Sequence, residues 1–231
     1  KASVILKDLA PFVPALSRFE EPLDLNLVFS GHGKHLDCPT LRLTNHHGLM
    51  IAGEAALSNW DAGMDMYIYG KLGNLTMTKE GINVLMTNLT GKVPPILQRL
   101  DYIRFNGEAA GYLHDLTLTG LFHTGAGMVK TDVMMSIDEQ SMSRTYSGSV
   151  ASADLDLGKL LNQEKKFGKV DFNVELKGFN YKNRYPESYI KGIISSFEYS
   201  QYQYENIMLD GVYKDGGFNG RLSMDDANGS V

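Results

Sequence analysis

Three segments of the chain repeat one alternation of apolar and polar residues and then end in glycine. They cover residues 23–31, 100–107 and 169–178. Their closing glycines follow one another at intervals of roughly 75 residues, and a long, nearly constant period is typical of stacked repeat proteins. The sequence therefore predicts a single elongated repeat domain over residues 1–231, with approximate repeats at 1–75, 76–150 and 151–231.

The alternation within each segment places apolar side chains on one face of a strand and polar side chains on the other. In the first segment, Leu25 and Leu27 alternate with Asp24 and Asn26. Such strands are typical of an antiparallel sheet with one apolar and one solvated face. The residues that we expect on the apolar face are Leu23, Leu25, Leu27, Phe29, Leu41, Leu43, Leu116, Leu118, Val170, Phe172, Val174 and Leu176.

Helices should be few and short. Each predicted repeat opens with an apolar stretch, at residues 6–16, 82–100 and 157–161, and prolines at positions 11 and 14 interrupt the first of them. The predicted fold class is therefore mainly β: an elongated, curled antiparallel β-sheet that forms a solenoid-like groove, with a few short helices.

Two interpretations differ in whether another part of the protein covers the apolar face. In a closed core, this face packs against a second sheet or against the short helices, as in sandwiches and barrels. In an open groove, the face stays accessible and needs a ligand to cover it. The small number of helices and the stacked repeat favour the open groove, and a closed-core structural β-solenoid is the alternative.

Charge and composition exclude several classes of function. The formal net charge is −5 and no block of like charges occurs, so we expect neither nucleic-acid binding nor a polybasic membrane-surface patch. The single cysteine, Cys38, excludes an internal disulfide framework. No apolar run reaches the length of about 18 residues that a membrane span needs.

The two ends of the sequence resemble cuts within a longer chain. The sequence begins at Lys1 without an initiator methionine and enters a strand-like pattern at once, and residues 225–229 form a turn-like run directly after a strand-like one. We therefore expect a segment of a longer polypeptide, with any targeting or anchoring sequence outside it.

Neither a metal site nor a catalytic site is predicted. His32, His35 and Cys38 are spaced like metal ligands, but the fourth ligand of a zinc site is missing. Asp225 and Asp226 are adjacent, so on a strand their carboxylates point to opposite faces. Nucleophile-elbow, phosphate-loop and Cys-x-x-Cys motifs are absent. We expect a protein without enzymatic activity, cofactor or metal.

Tyrosines are concentrated near the end of the chain. They are Tyr181, Tyr185, Tyr189, Tyr199, Tyr202, Tyr204 and Tyr213. Aromatic residues of this kind are common on half-exposed strands. Because rings with polar tips also suit sugars, a glycan-binding β-solenoid remains a variant of the closed-core alternative.

The order of several motifs along the whole chain resembles the TamB family of translocation and assembly module proteins. The motifs are SVILKDLAPFVP at residues 3–14, YIRFNGEAAGYLHD at 102–115, TGAG at 124–127, YSG at 146–148, YQYENIMLDG at 202–211 and DDAN at 225–228. AsmA-type relatives share much of this pattern. Each motif is degenerate and none is catalytic, so the resemblance depends on their order and spacing.

The resemblance implies a periplasmic segment of a protein anchored in the inner membrane of a two-membraned bacterium. Members of the family form a groove-shaped β-sheet and work with a barrel protein of the outer membrane, which this chain would contact through regions outside it. They are implicated in phospholipid transport between the membranes and in outer-membrane protein assembly. The expected ligands are therefore phospholipid acyl chains, held along the apolar face.

Overall fold

The computed structural model describes residues 2–9, 17–20, 22–138, 140–141, 143–180, 187–227 and 229–230. The chain forms two compact units. The first comprises residues 1–62, 66–108 and 122–125, and the second comprises residues 63–65, 109–121 and 126–231. Both units consist mainly of antiparallel strands.

The first unit is built from long strands that pair in chain order, with two helices after the fifth. Its elements are β1 (Ala2–Ile5), a 3-10 turn (Leu6–Leu9), β2 (Pro22–His32), β3 (His35–Thr44), β4 (Leu49–Ser58), β5 (Tyr67–Thr78), α1 (Lys79–Thr90), α2 (Pro95–Gln98) and the first part of β6 (Tyr102–Tyr112). Strands β1 to β5 each pair antiparallel with the next.

The second unit is also built mainly from antiparallel strands, with one short α-helix among its described residues. Its elements are most of β7 (Asp115–Thr124), β8 (Gly127–Ile137), β9 (Arg144–Asp156), α3 (Leu157–Leu161), β10 (Phe167–Asn180), β11 (Glu187–Tyr199), β12 (Tyr202–Lys214), β13 (Gly217–Asp226) and β14 (Gly229–Ser230). Strands β8 to β14 each pair antiparallel with the next. The prediction of a mainly-β fold with an antiparallel sheet and a few short helices is confirmed.

The three segments that repeat in the sequence all form strands, namely β2, β6 and β10. Each is the fourth strand after the previous one, and helical segments stand before β6 and β10. The first apolar stretch contains the 3-10 turn, and its residues 10–16 lie outside the described part of the chain, as do Tyr181, Tyr185 and Asn228. The number of repeats and their boundaries stay a prediction.

Local sequence explains where the helices begin and end. The hydroxyl of Thr78 accepts a hydrogen bond from Gly81 N (3.2 Å) and caps α1, and Gly91 ends that helix with a positive φ of 78°. Helix α3 has the same design, because the carboxylate of Asp156 accepts from Lys159 N (2.8 Å) and Asn162 adopts a left-handed conformation. No helix of the described residues is long and apolar enough to cross a membrane.

Each unit has its own small core. The fully or nearly buried side chains of the first unit include Leu23, Leu49, Met77, Ile82, Leu100, Ile103 and Phe105. Those of the second unit include Ala126, Leu155, Leu160, Val170, Val174 and Ile207. In the second unit α3 packs against β10, and Leu160 of α3 and Val170 of β10 are both buried.

Two glycines within strands of the second unit allow neighbouring backbones to approach closely. Gly148 has a φ of 143° and Gly192 a φ of 159°, and a Cβ at either position would clash with a backbone carbonyl of the adjacent strand. Those carbonyls belong to Asp132 and Asn173 respectively. Glycine at such positions is typical of strands that bend or pack closely together.

We expect Gly148→Ala to lower the free energy of unfolding by about 2–4 kcal/mol, because the new Cβ adds both backbone strain and a clash. Gly73→Ala is the matched control, since Gly73 of β5 lies in open space without a left-handed φ. Its effect should stay within about 0.5 kcal/mol. Chemical denaturation measures both variants, and equal losses would contradict this explanation of the strand glycines.

Candidate functional site

Three rows of mostly apolar residues cross six neighbouring strands of the second unit, β8 to β13, on one side of the sheet. The strand registers give the rows as Val129, Ser152, Phe172, Ile194, Ile207, Met224; then Thr131, Val150, Val174, Gly192, Leu209, Leu222; and then Val133, Gly148, Leu176, Ile190, Gly211, Gly220. We call these rows the apolar face. At about 4.8 Å between strands, each row is roughly 24 Å long.

Most side chains of the apolar face are only partly covered. Val174 and Ile207 are buried, whereas Phe172, Leu176 and their neighbours on β9 and β11 are half-buried and Leu222 is exposed. Leu160 of α3 and Val170 of β10, the strand against which this helix packs, are buried as well, as is Leu155 at the end of β9. Away from this helix, the face offers aliphatic surface that solvent reaches.

Three hydroxyl groups on or beside the apolar face, those of Tyr146, Ser152 and Ser188, have partners within the protein, whereas the buried Oγ1 of Thr131 has none. Tyr146 and Ser188 hydrogen-bond to each other, and Gly178 lies between them in the register. Ser152 Oγ donates to Val170 O (3.0 Å) and accepts from Phe172 N (3.1 Å). Such internally satisfied hydroxyls leave the aliphatic rows as the dominant chemistry of the face, which suits an apolar ligand without a fixed anchor.

The first unit carries a comparable set of leucines. Leu25 pairs directly with Leu43, and Leu27 pairs directly with Leu41, so these four predicted residues share one face. All four are half-buried, while Leu23 is buried. The structure therefore brings together five predicted residues on strands β2 and β3.

Phe29 of β2 is an exception among the twelve residues predicted to line the groove. It lies where the β2–β3 register shifts between Val28 and Ser30, and its exposed fraction is 63%. A bulge of this kind adds a residue to one strand and re-aims side chains. The strict alternation that the prediction assumed ends at this bulge.

The other predicted residues lie in the second unit. Phe172, Val174 and Leu176 of β10 belong to the apolar face, and Val170 is buried near α3. Leu116 and Leu118 lie on β7 and are half-buried. Whether the predicted residues contact a ligand stays a prediction.

The set of twelve predicted residues omits the apolar residues of strands β9 and β11 to β13. They are Val150, Ile190, Ile194, Ile207, Leu209 and Leu222. The apolar side of β11 contains Ile190, Gly192 and Ile194, but the glycine makes this side less hydrophobic. Ile193 makes the opposite side more hydrophobic, so the alternation is hard to recognise in the sequence. The pairing register, with Leu176 opposite Ile190, is what identifies them.

The opposite side of the same strands mixes charged and apolar residues. Its rows are Asn173, Ile193, Met208, Ser223; then Glu175, Lys191, Asp210, Arg221; and then Lys177, Tyr189, Val212, Asn219. We call these rows the mixed face. A depression of about 550 Å³ lies over the first two rows, and one of about 420 Å³ lies beside Lys177 and Tyr189. None of the twelve predicted residues lines either depression.

The residues considered for metal or carboxylate chemistry have ordinary partners. His35 contacts Asp37 Oδ2 (2.9 Å) and Ser58 Oγ (2.7 Å) on the β3–β4 surface, and Cys38 Sγ donates to Thr40 O (3.3 Å). Asp226 accepts a hydrogen bond from Tyr202 (2.8 Å). Within the described residues, no group of three or more His, Cys, Asp or Glu side chains could hold a metal ion.

The tyrosines that the structure describes near the end of the chain do not form one platform. Tyr199, Tyr202 and Tyr204 pack with Phe167 and Phe197, with neighbouring ring centroids 4.6 to 6.4 Å apart. All five rings are half-buried. Ring-on-ring packing of this kind occupies aromatic faces that a sugar would need for stacking.

Comparison of the chain with protein-family models, with curated proteins and with solved structures yields no match. The geometry of the sheet is therefore the basis for a functional proposal.

We expect Leu160→Ala to destabilise the protein by about 2–5 kcal/mol, because Leu160 is only 9% exposed and its truncation leaves a cavity beside β10. The neighbouring Leu161→Ala is the control, since Leu161 is 46% exposed and should lose no more than about 0.5 kcal/mol. Thermal and chemical denaturation compare the two. A similar loss for both variants would show that α3 does not pack as described.

Proposed function

We propose that this chain is a segment of a lipid-transfer conduit, in which the apolar face accommodates phospholipid acyl chains. The observation that carries the proposal is the set of three mostly apolar rows across β8 to β13, in which most side chains other than Val174 and Ile207 remain partly exposed. Water-soluble surfaces rarely leave contiguous apolar rows uncovered without a partner. An acyl chain is a partner whose chemistry and shape match them.

The size of the free-energy barrier explains why a lipid would use such a face. Moving a sixteen-carbon chain from a bilayer into water costs on the order of 12 kcal/mol, at ~0.8 kcal/mol for each CH₂ group. Contact with the rows restores part of that loss. A bilayer core of about 30 Å implies roughly 15 Å for one acyl chain, so a row of roughly 24 Å can hold one along its length.

Weak directionality suits transport better than tight binding. Ser152, Tyr146 and Ser188 satisfy one another or the backbone, so they offer no strong anchor to a passing headgroup. Hydrophobic contact is non-directional and scales with buried area, so a chain gains similar energy at successive positions along the rows. This property supports sliding of a lipid rather than capture at one site.

The resemblance to the TamB family supports a cellular location for the proposed lipid transfer. We propose a periplasmic segment of an inner-membrane-anchored protein that moves phospholipid between the two membranes and supports outer-membrane protein assembly. Contact with an outer-membrane barrel partner would then involve regions outside this chain. The proposed role is binding and guidance, without an enzymatic step.

A closed-core β-solenoid is the competing interpretation of the same strands. It requires the rows to be covered, as they are at Val174 and beside α3. Away from the helix, Leu176, Ile190 and Ile194 are half-buried, which favours an accessible face. The glycan-binding variant is less favoured, because the aromatic cluster packs against itself.

Native mass spectrometry of the purified chain tests the proposal. We expect co-purifying phospholipid on the wild type and a loss of at least about tenfold in lipid occupancy for Leu176→Asp, because a carboxylate on the apolar face must lose water when an acyl chain covers it. Ser147→Asp is the matched control, since Ser147 pairs with Lys177 on the opposite side of the sheet. It adds the same charge and should keep the lipid.

A wild-type chain without lipid, or equal loss in both variants, would contradict the proposal. Circular dichroism of each variant establishes that the sheet is intact before lipid is measured. If Leu176→Asp abolishes folding, the closed core is the better interpretation, because an accessible position lets a carboxylate keep its water.

Photo-crosslinking in cells examines each unit separately. A crosslinker at Leu27 or Phe172 should capture lipid, and one at the adjacent Asn26 or Asn173 should capture at least about fivefold less, because neighbours along a strand point to opposite faces. Equal capture at both members of a pair would overturn the assignment for that unit.

A further inference from the structure

A row of alternating charges crosses four strands on the mixed face of the second unit. Glu175 of β10 lies opposite Lys191 of β11, Lys191 lies opposite Asp210 of β12, and Asp210 lies opposite Arg221 of β13. Lys191 Nζ and Asp210 Oδ2 are 3.5 Å apart, and all four residues are exposed. The order of charges along the row is therefore minus, plus, minus, plus.

The neighbouring row has a symmetric pattern of polarity. It reads Asn173, Ile193, Met208 and Ser223, so two polar residues enclose two apolar ones. Ile193 and Met208 are directly opposite each other and are 48% and 54% exposed. Cross-strand pairing explains the charges. It does not explain why two large apolar side chains remain exposed beside them.

Both rows are complementary to their own reversed order. Consider a two-fold axis that lies in the interface, parallel to the strands and midway between β11 and β12. Rotation by 180° about this axis places β10 of one copy opposite β13 of the other, and β11 opposite β12. Each row therefore faces the same row of the second copy in reverse order. Glu175 then faces Arg221 of the second copy, and Lys191 faces Asp210 of the second copy. Two-fold interfaces require this kind of self-complementary surface.

The apolar row obeys the same operation. Ile193 faces Met208 of the second copy, and Asn173 faces Ser223 of the second copy. Sheets that pack face to face lie about 10 Å apart, a distance that paired Lys, Arg, Asp and Glu side chains can span. Apolar contact in one row and ion pairs in the adjacent row can therefore form together.

We propose that two copies of this chain associate through their mixed faces, with the charged row and the Ile193–Met208 pair at the centre of the interface. The row carries two negative and two positive charges, so a partner of uniform charge would meet as many like charges as opposite ones. A second copy presents the complementary order by symmetry. This interface lies on the opposite side of the sheet from the apolar face and is independent of lipid binding.

The ionisation of the row at neutral pH supports this arrangement. The hydrogen bond from Tyr189 to Asp210 (2.6 Å), with the nearby charges of Lys191 and Arg221, lowers the pKa of the Asp210 carboxyl below its usual range. Asp210 is therefore a carboxylate when it faces Lys191 of the second copy.

The area of the mixed face determines how strongly we expect two copies to associate. Four strands and three rows cover roughly 20 Å by 20 Å, which is below the ~800 Å² per partner of a standard stable interface. We therefore expect weak, concentration-dependent association in the micromolar to submillimolar range. It should weaken at about 1 M salt, where the Debye length is ~3 Å and ion pairs are screened.

Sedimentation velocity of two charge-reversal variants tests the proposal. Glu175→Arg places two arginines opposite each other in the homodimer, and Arg221→Glu places two glutamates opposite each other. Each variant alone should therefore show an apparent dissociation constant at least about tenfold above that of the wild type. An equimolar mixture should regain association, because Arg at position 175 of one variant then faces Glu at position 221 of the other.

Recovery on mixing separates an interface from a folding defect, since two misfolded proteins cannot restore each other. Lys71→Glu, an exposed charge reversal in the first unit, is the control and should associate like the wild type. A wild type that stays monomeric throughout the concentration range, or a mixture that remains as dissociated as the separate variants, would overturn the proposal.

Discussion

The period-2 alternation of the strands is the constraint on which the rest of the structure depends. Alternation gives strands such as β2 and β10 an apolar side, and antiparallel pairing in chain order aligns apolar sides across β8 to β13. A helix can cover a sheet of this width only locally, as α3 does beside Val170. The remaining rows keep a partial exposure that sandwiches and barrels avoid, and this exposure is what calls for a ligand.

The two sides of the second unit offer different kinds of recognition. The apolar face provides non-directional contact, which is suited to a ligand that must move. The mixed face provides an ordered set of charges, which specifies register and orientation and rejects partners with a different order. One sheet can therefore combine a permissive surface for lipid with a selective surface for a second copy, because residues that are adjacent in sequence serve opposite sides.

The strands with unbroken alternation could be predicted from the sequence. Segments 23–31 and 169–178 lie in strands, as do residues 102–107 of the second segment, and the pairs Leu25–Leu43 and Leu27–Leu41 form as the shared pattern suggests. The exposure of Phe29 at the register shift could not be predicted, because a bulge is a property of two paired strands and not of one. The apolar side of β11 was missed, since Ile193 obscures its period. The charged row also could not be predicted from the sequence, because it depends on the pairing register of four strands.

Methyl NMR with a spin-labelled fatty acid tests the accessibility of the apolar face most directly. Ile193 and Ile194 are adjacent in sequence and lie on opposite sides of β11, so one protein contains both the probe and its control. At lipid concentrations below the micellar range, a bound spin label should broaden the methyl signals of Ile190 and Ile194 several-fold more than that of Ile193, which points to the other side of the strand and lies further from the label. Broadening of Ile193 to the same extent, or no broadening at any of the three, would contradict the account of an open apolar face.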